Sequence, residues 1–525
     1  MKKTVMKQMH PAVERRLLCV RRAWLSFVFT LLLCSSGSLS WATPEFVNGL
    51  VIEGNTIDAT RQPGANAGRL GFFSDLYYDP IEDNWWALSD RGPGGGVLSY
   101  ATRVSRFEIK VHPVTGAIAN FRIKETIKFT DPRGLLPTPT TLADSTSLNG
   151  LNPLLLNGNP ATLGRSFDPE GIVINPRNGH FLVSDEYGPS VYEFNRRGVL
   201  VAVFETPANL IPKVSGITNY VADRDGGLNA GRQDNRGFEG LAVTPDGKKL
   251  YAVLQAPLVN EPSPNNGRNG RNLRIVVFDN NRKSPTYRKS VAQYAYQLEL
   301  QADIQARIVA AGGVATPTDL RQGRNIGLSA IVALNDHEFL VLERDNRGIG
   351  VDDPAGNNVI GSKRVYRIDV TGATNIAGLS LPDDGNLVAA GITPVTKSAV
   401  FLDLTANTVL PNGKKAEKWE GVTIGPRLKN GAFLILAGND NDYSVTQNAS
   451  NVQFDIYVDF NGGSVQRDLD QPTKLNGVEV GPVPSGYVLL PGVLHAYKAS
   501  AADLAGYRPP RGADREGDDD HDHDD

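Results

Sequence analysis

Carboxylates stand at both ends of a repeating apolar pattern in this chain, and their spacing is the first sign of chemistry. Between Asp168 and Phe194 an apolar run, Gly171 to Ile174, meets a turn cluster (Asn175, Pro176, Asn178, Gly179). A second run, His180 to Val183, then leads into an acidic corner, Asp185-Glu186. Runs this short, bounded by Gly, Pro and Asn, are strands. A hairpin centred near Arg177 puts Glu170 beside Asp185, because the two are equidistant from the turn. Paired carboxylates at one sheet end suit a general base or a hard cation.

The same unit recurs. Ser74-Asp75 opens a run that ends in Ser89-Asp90-Arg91-Gly92. Glu239-Gly240 opens a run that turns at Pro245-Asp246-Gly247. Ser329-Ala330 leads, through His337 to Leu342, to Glu343-Arg344-Asp345, and Glu420-Gly421 leads to Asn439-Asp440-Asn441-Asp442. Five strand-turn-strand units without helical periodicity between them predict an all-β fold, a β-propeller. A sixth blade is expected from the leftover strands Val47 to Ile57 and Tyr487 to Lys498. Two long polar loops, 131–165 and 207–237, interrupt the repeats, and such loops on a rigid scaffold commonly carry function.

In a propeller every unit's first strand starts, and its second strand ends, on one face. Asp75, Asp90, Glu170, Asp185, Glu186, Glu239, Glu343, Asp345, Glu420, Asp440 and Asp442 are therefore expected around one mouth of the central channel. So many acids repel one another unless a cation or basic side chains intervene. Hard oxygen ligands select calcium or magnesium over zinc. The expected metal ligands are Glu170, Asp185, Glu186, Glu239, Glu343, Glu420 and Asp440; the catalytic acids are Glu170, Glu239 and Asp185. Arg91, Arg344, Arg347 and Lys418 stand at the same edge, and Arg91, Arg344 and Lys418 are the expected substrate-binding groups. The alternative is that the acids cap loops and pair with neighbouring arginines.

Other chemistries fit less well. The chain has no Gly-x-Ser-x-Gly elbow, and zinc lacks nitrogen and sulfur ligands. A serine triad at the mouth would have to recruit His112 or His495, because His180 and His337 begin second strands at the opposite end. Asp223 to Gly227 resembles a fragment of a calcium loop without the full spacing.

Net charge is −3, with seven basic residues and one Glu in 1–42 and a dense acidic run from Asp514 to Asp525. The balanced body gives no reason to expect nucleic acid. Residues 1–42 read as an export signal: basic up to Arg21-Arg22, apolar from Ala23 to Leu33, then small residues to Ala42. Arg21-Arg22-Ala23-Trp24-Leu25 is a partial twin-arginine pattern. Both cysteines, Cys19 and Cys34, lie in this leader, so the mature chain has no thiol chemistry. The expected layout is a signal over 1–42, a propeller over 43–508 and a disordered acidic tail over 509–525. The expected product is a periplasmic or secreted monomer, free of the membrane once the signal is cleaved.

Several motifs together resemble the exported bacterial family "esterase-like activity of phytase". They are Gly71-Phe72-Phe73-Ser74-Asp75, Ser89-Asp90-Arg91-Gly92, Asp168-Pro169-Glu170-Gly171, Ser184-Asp185-Glu186-Tyr187-Gly188, Asn235-Arg236-Gly237-Phe238-Glu239-Gly240, Glu343-Arg344-Asp345 and Lys418-Trp419-Glu420-Gly421. They come in order across residues 47–500. The resemblance implies a phytase-like propeller that hydrolyses phosphoesters or esters, by analogy with calcium-dependent propeller phytases. A calcium-dependent phosphate-ester hydrolase acting on a small anionic substrate is the leading expectation. A metal-dependent lactonase or carboxylic esterase, and a non-catalytic binding propeller, are the alternatives.

Overall fold

The structure is a computed structural model that describes residues 43–60, 68–138, 146–221, 227–262, 266–316, 320, 325–382 and 385–512. The proposed leader, most of the Asp223 to Gly227 fragment and the acidic run lie outside the described residues. No helix among the described residues is long and apolar enough to cross a membrane.

The repeats become four-stranded antiparallel sheets. The first comprises Asp75–Asp79, Asn84–Leu88, Arg103–Val111 and Ile118–Lys128; the second Pro169–Ile174, Phe181–Asp185, Ser190–Phe194 and Leu200–Val203. The third comprises Phe238–Val243, Lys249–Leu254, Asn272–Asp279 and Ser290–Gln297; the fourth Ile326–Ala333, Glu338–Asp345, Lys363–Asp369 and Thr396–Asp403. In each, strands follow chain order from the inside outward. The fifth departs from that rule: Lys418–Arg427 and Phe433–Asp440 are followed by Gly492–Ala499 and then by Glu45–Ile52 from the other end of the chain.

The five inner strands adjoin one another in a ring, the fifth touching the first. Each gap between neighbouring sheets holds its own apolar core. Trp86, Val104 and Phe181 fill the first gap, Leu182, Phe238 and Leu250 the second, and Tyr251, Ile275 and Phe339 the third. Leu342, Trp419 and Ile435 fill the fourth, and Phe72, Phe107 and Leu434 the fifth. At about 1.5–3 kcal/mol for each fully buried side chain, these cores hold the ring. Inner strands such as Pro169–Ile174 are buried on both faces, which is why they read as unbroken apolar runs.

The expected sixth blade is therefore corrected. Glu45–Ile52 and Gly492–Ala499 pair with each other from Glu45–Lys498 to Ile52–Gly492, and the latter strand lies on Phe433–Asp440. The terminal strands complete the fifth sheet because its second strand needs a partner, and an insertion separates that strand from the rest of its sheet. This insertion, residues 442–490, forms a small sheet of its own around Gln453–Val458. Pro245, Leu334, Tyr507 and the C-terminal residues up to Arg511 meet at the turn end of the ring, where Arg508 N–H donates to Leu334 O and Arg511 N–H to Pro245 O. Tyr507 and Pro510 border a channel cavity of about 40 Å³ between the inner strands.

Candidate functional site

In four of the five sheets a one-residue bulge breaks the inner strand at the same place. Pairing passes from Pro169–Asp185 to Gly171–Ser184, leaving Glu170 out, and from Phe238–Leu254 to Gly240–Val253, leaving Glu239 out. It likewise skips Ser329 in the fourth sheet and Glu420 in the fifth. A bulge re-aims its side chain. Here one oxygen from each of Glu170, Glu239 and Glu420 comes within 4.8 Å of the others. Glu170 does not face Asp185, as equidistance from the turn predicts, because the bulge takes up one residue and sets Pro169 opposite it.

The corner aspartates do different work. Asp90, Asp185, Asp345 and Asp440 each accept from the backbone N–H two residues on, at 2.9, 3.2, 3.2 and 2.8 Å. These are Asx-type turns that end the second strands. Asp185 also accepts from Asp168 N–H at 2.9 Å and Gly188 N–H at 3.0 Å, so both its oxygens are committed. Its expected roles as catalyst and ligand are corrected to that of a buried cap. Asp345 accepts from Gly361 and Ser362 N–H at 2.7 and 2.9 Å and pairs with Lys363 at 3.0 Å. Asp440 lies 2.5 Å from the Lys418 ammonium, and one of its oxygens also comes within 4.8 Å of oxygens of Asp90 and Asp442.

Strand alternation corrects one more expectation. Glu343 and Arg344 point to opposite faces. Glu343 faces away from the mouth, accepting from Tyr296 Oη at 2.5 Å, Glu299 N–H at 2.9 Å and the Lys397 ammonium, so it is not a metal ligand. Arg347 donates to Val359 O and Val314 O at 2.6 and 2.7 Å. Asp75 staples two inner strands, accepting from Leu76 and Ile172 N–H, each at 2.8 Å.

The remaining groups line a cavity of about 230 Å³. Its walls carry Asp90, Glu170, Glu186, Glu239, Asp352, Glu417, Glu420 and Asp442, set against Arg91, Arg236, Arg344 and Lys418. The expected binding cations Arg91, Arg344 and Lys418 are all here, and each is engaged. Arg344 donates Nε to Ser329 Oγ at 2.8 Å and Nη1 to Asn346 Oδ1 at 2.5 Å; its Nη2 reaches Glu420 and lies 3.5 Å from Glu239. Lys418 also lies 2.8 Å from Asp442 and 3.7 Å from Glu420. Arg91 pairs with Asp168 at 3.1 Å, its guanidinium 5.6 Å from the Tyr187 ring.

The acids are less well served. Gln255 donates to Glu239 Oε1, but Glu239 Oε2, Glu186 Oε1 and Glu417 Oε2 are buried without a hydrogen-bond partner among the described residues. No hydrogen bond or ion pair reaches the Glu170 carboxylate among the described residues. Buried carboxylates left unpaired are costly. Convergent oxygens with spare lone pairs fit a divalent cation such as calcium.

Burial first, then Asp168 and Glu239, holds Glu170 well above the usual carboxylate range. Burial, then Glu186 and Glu420, does the same for Glu239. Burial and the Asp168 charge push Asp90 up to about 7 and Glu186 to about 8; burial and Asp352 push Glu417 to about 8. Groups raised on folding stabilise the fold when protonated. That contribution is complete below their unfolded values near 4 and is lost as the pH rises through about 7–8. The melting temperature of chelator-treated protein is therefore expected to fall between pH 5 and 8, and added calcium to flatten the slope. A flat profile without calcium would show the acids to be neutralised within the protein.

Residues 68–443 match the family described as phytase-like, esterase-like activity of phytase. The chain belongs to this phytase-like family. An uncharacterized secreted protein of Arthroderma benhamiae is 29% identical to the phytase-like chain over 443 residues, covering 72% of this chain and 80% of its own length. Among solved structures, the periplasmic gluconolactonase of Pseudomonas aeruginosa is 12% identical, covering 85% of this chain and 99% of its own, with a TM-score of 0.28. An auxiliary nutrient binding protein from Bacteroides thetaiotaomicron is also 12% identical, covering 76% and 74%, with a TM-score of 0.28.

The phytase-like span holds site residues that motif reading missed: the lining groups Arg236, Gln255 and Glu417, and Asp168, which holds Arg91 from behind the wall. Arg236 and Glu417 each stand three residues before a bulge glutamate, and that offset is the signal that could have found them. The long loops buttress the mouth through close backbone approach. A Cβ on Gly237 would lie 2.1 Å from Glu186 O, and one on Gly150 would lie 1.6 Å from Arg91 O. Gly237→Ala is expected to cost about 1–3 kcal/mol in urea denaturation and to displace Glu186 from the cavity. An unchanged midpoint would show that the two segments can part without strain.

Proposed function

We propose that the chain is an exported, calcium-dependent hydrolase of phosphate esters whose site is the acid-lined cavity at the mouth of the ring. The observation that carries this reading is the set of carboxylate oxygens that no hydrogen bond reaches among the described residues, those of Glu170, Oε1 of Glu186 and Oε2 of Glu239, around one cavity. Glu170, Glu239 and Glu420 would hold the cation. When bound, it supplies the positive charge that an acid-rich cavity needs before an anionic substrate can enter, and it polarises an ester oxygen.

The chain's own residues do the rest. Arg91, fixed by Asp168 and Tyr187, orients the substrate's anionic group. Arg344 holds Glu239 and Glu420 in place from the fourth sheet. Glu186, with an unpaired oxygen and a carboxyl pushed to about 8, accepts the proton of an attacking water in place of the committed Asp185. The secreted relative supports export.

One observation favours a second reading. Eight acids against four bases around the cavity repel an anionic substrate but leave a neutral one indifferent, which suits a lactone or carboxylic ester. Parallel assays on p-nitrophenyl phosphate, p-nitrophenyl acetate and a lactone, each with and without chelator, test both. Chelator-sensitive phosphate release supports the first, and turnover of the neutral esters alone supports the second. No turnover of any of them would leave a binding propeller and overturn the hydrolase reading.

A further inference from the structure

Where the fifth sheet's second strand ends, the chain makes a turn that its side chains do not favour. Asp442, Tyr443 and Ser444 have φ of 49°, 56° and 62°, three successive non-glycine residues in the left-handed region. Each costs energy that the surroundings must supply. Tyr443 is buried at 1% exposure, edge-on to Tyr100 at 5.3 Å, and its ring fills the space a Cβ on Gly71 would need. Its carbonyl accepts from Arg69 Nη1 at 3.1 Å, and Arg69 is fixed by Asp455 at 2.6 Å. Ser444 Oγ and Asn441 Nδ2 donate to Leu490 O at 2.6 and 3.1 Å. A turn tied down from so many sides serves the residue at its tip.

That residue is Asp442, whose carboxylate lies 2.8 Å from the Lys418 ammonium. Lys418 stands between two sets of acids. Asp440 and Asp442 hold it at 2.5 and 2.8 Å, while Glu420, one of the three converging glutamates, lies 3.7 Å away. An ammonium on a flexible stem is itself a cation that three glutamates would bind. Arg344, already on Glu420, adds repulsion from that side.

We propose that Asp442 is a positioning residue: held in its strained turn, it keeps Lys418 parked on the aspartate side and so keeps the seat of Glu170, Glu239 and Glu420 open for a divalent cation. This rests on the reading of those glutamates as the cation's ligands. Lys418 is then a tethered competitor, and the turn sets which side it takes. Neutralising Asp442 lets the ammonium swing onto Glu420 and fill the seat from within the chain.

Calorimetric titration of the chelator-stripped full chain with calcium chloride tests this. Asn tolerates the left-handed conformation, so Asp442→Asn keeps the turn. The wild-type chain is expected to bind calcium, D442N to bind it about tenfold more weakly, and D442N/K418M to regain the wild-type affinity. Lys418→Met alone is expected to bind the first calcium at least as tightly as wild type, which keeps the test alive should D442N fail to fold. D442N binding as well as wild type, a double variant that stays weak, or a weakened K418M would overturn the proposal while leaving the calcium site standing. Absence of binding by the wild-type chain would overturn the calcium reading itself, and the proposal with it.

Discussion

Glu170→Gln is expected to abolish calcium-dependent turnover, lowering kcat/KM by about a hundredfold or more, while making the calcium-free protein more stable. Opposite signs follow from one fact. The Glu170 carboxylate is buried, unpaired among the described residues and surrounded by Asp168, Glu239, Glu186 and Glu420. Glutamine keeps its shape and removes its charge. Without calcium the change relieves repulsion, so the melting temperature at pH 8 should rise. With calcium it removes a ligand, so the stabilisation by added calcium should shrink. Melting curves with and without calcium, beside hydrolysis of p-nitrophenyl phosphate, measure both. A variant that loses stability without calcium would mean that the carboxylate has a structural partner, and full activity would remove Glu170 from the site.

Arg344→Met is expected to be the most destabilising change at the mouth. The guanidinium is buried and ties Ser329 to Glu420 and, more loosely, to Glu239, across the third, fourth and fifth sheets. Removing one partner of a buried pair costs about 3–5 kcal/mol, because the other charge is left without compensation. The loss should appear as a lower urea midpoint at pH 8. It should lessen as the pH falls, since Glu239 is already held above the usual carboxylate range and protonates readily once Arg344 is gone. Arg344→Met/Glu420→Gln should recover part of the loss. A double variant no better than the single would place the role of Arg344 in packing rather than charge.

The strands were legible because an inner strand buried on both faces must be a short apolar run between turn residues. The blade count was not. Val47 to Ile57 and Tyr487 to Lys498 read as leftover strands, and only the contact of the fifth inner strand with the first shows that no gap is left for a sixth sheet beside it. Among the acids, composition could not separate Glu170 from Asp185, since both are carboxylates at one sheet end. The separation is made by backbone geometry. The bulge that ejects Glu170 and the Asx turn that consumes Asp185 each shift matters by a single residue. Likewise strand alternation turns Glu343 away from the mouth while Arg344 stays at it, which a corner motif read as a block does not resolve. The insertion carrying Val445 to Gln447 onto the cavity wall has no repeat signature, so nothing in the pattern flagged it.

The fifth sheet also fixes an order of events during synthesis. Glu45–Ile52 is the outermost strand there, and its sheet neighbour is Gly492–Ala499. The ribosome makes the first of these strands long before the second. At about 5–20 residues per second the early strand waits roughly 20 to 90 seconds for its partner, with one backbone edge unsatisfied throughout. The fifth sheet cannot be completed until Gly492–Ala499 has been made. A chain shortened before Gly492 would have four whole sheets and only the two inner strands of a fifth, with nothing for Glu45–Ile52 to pair with.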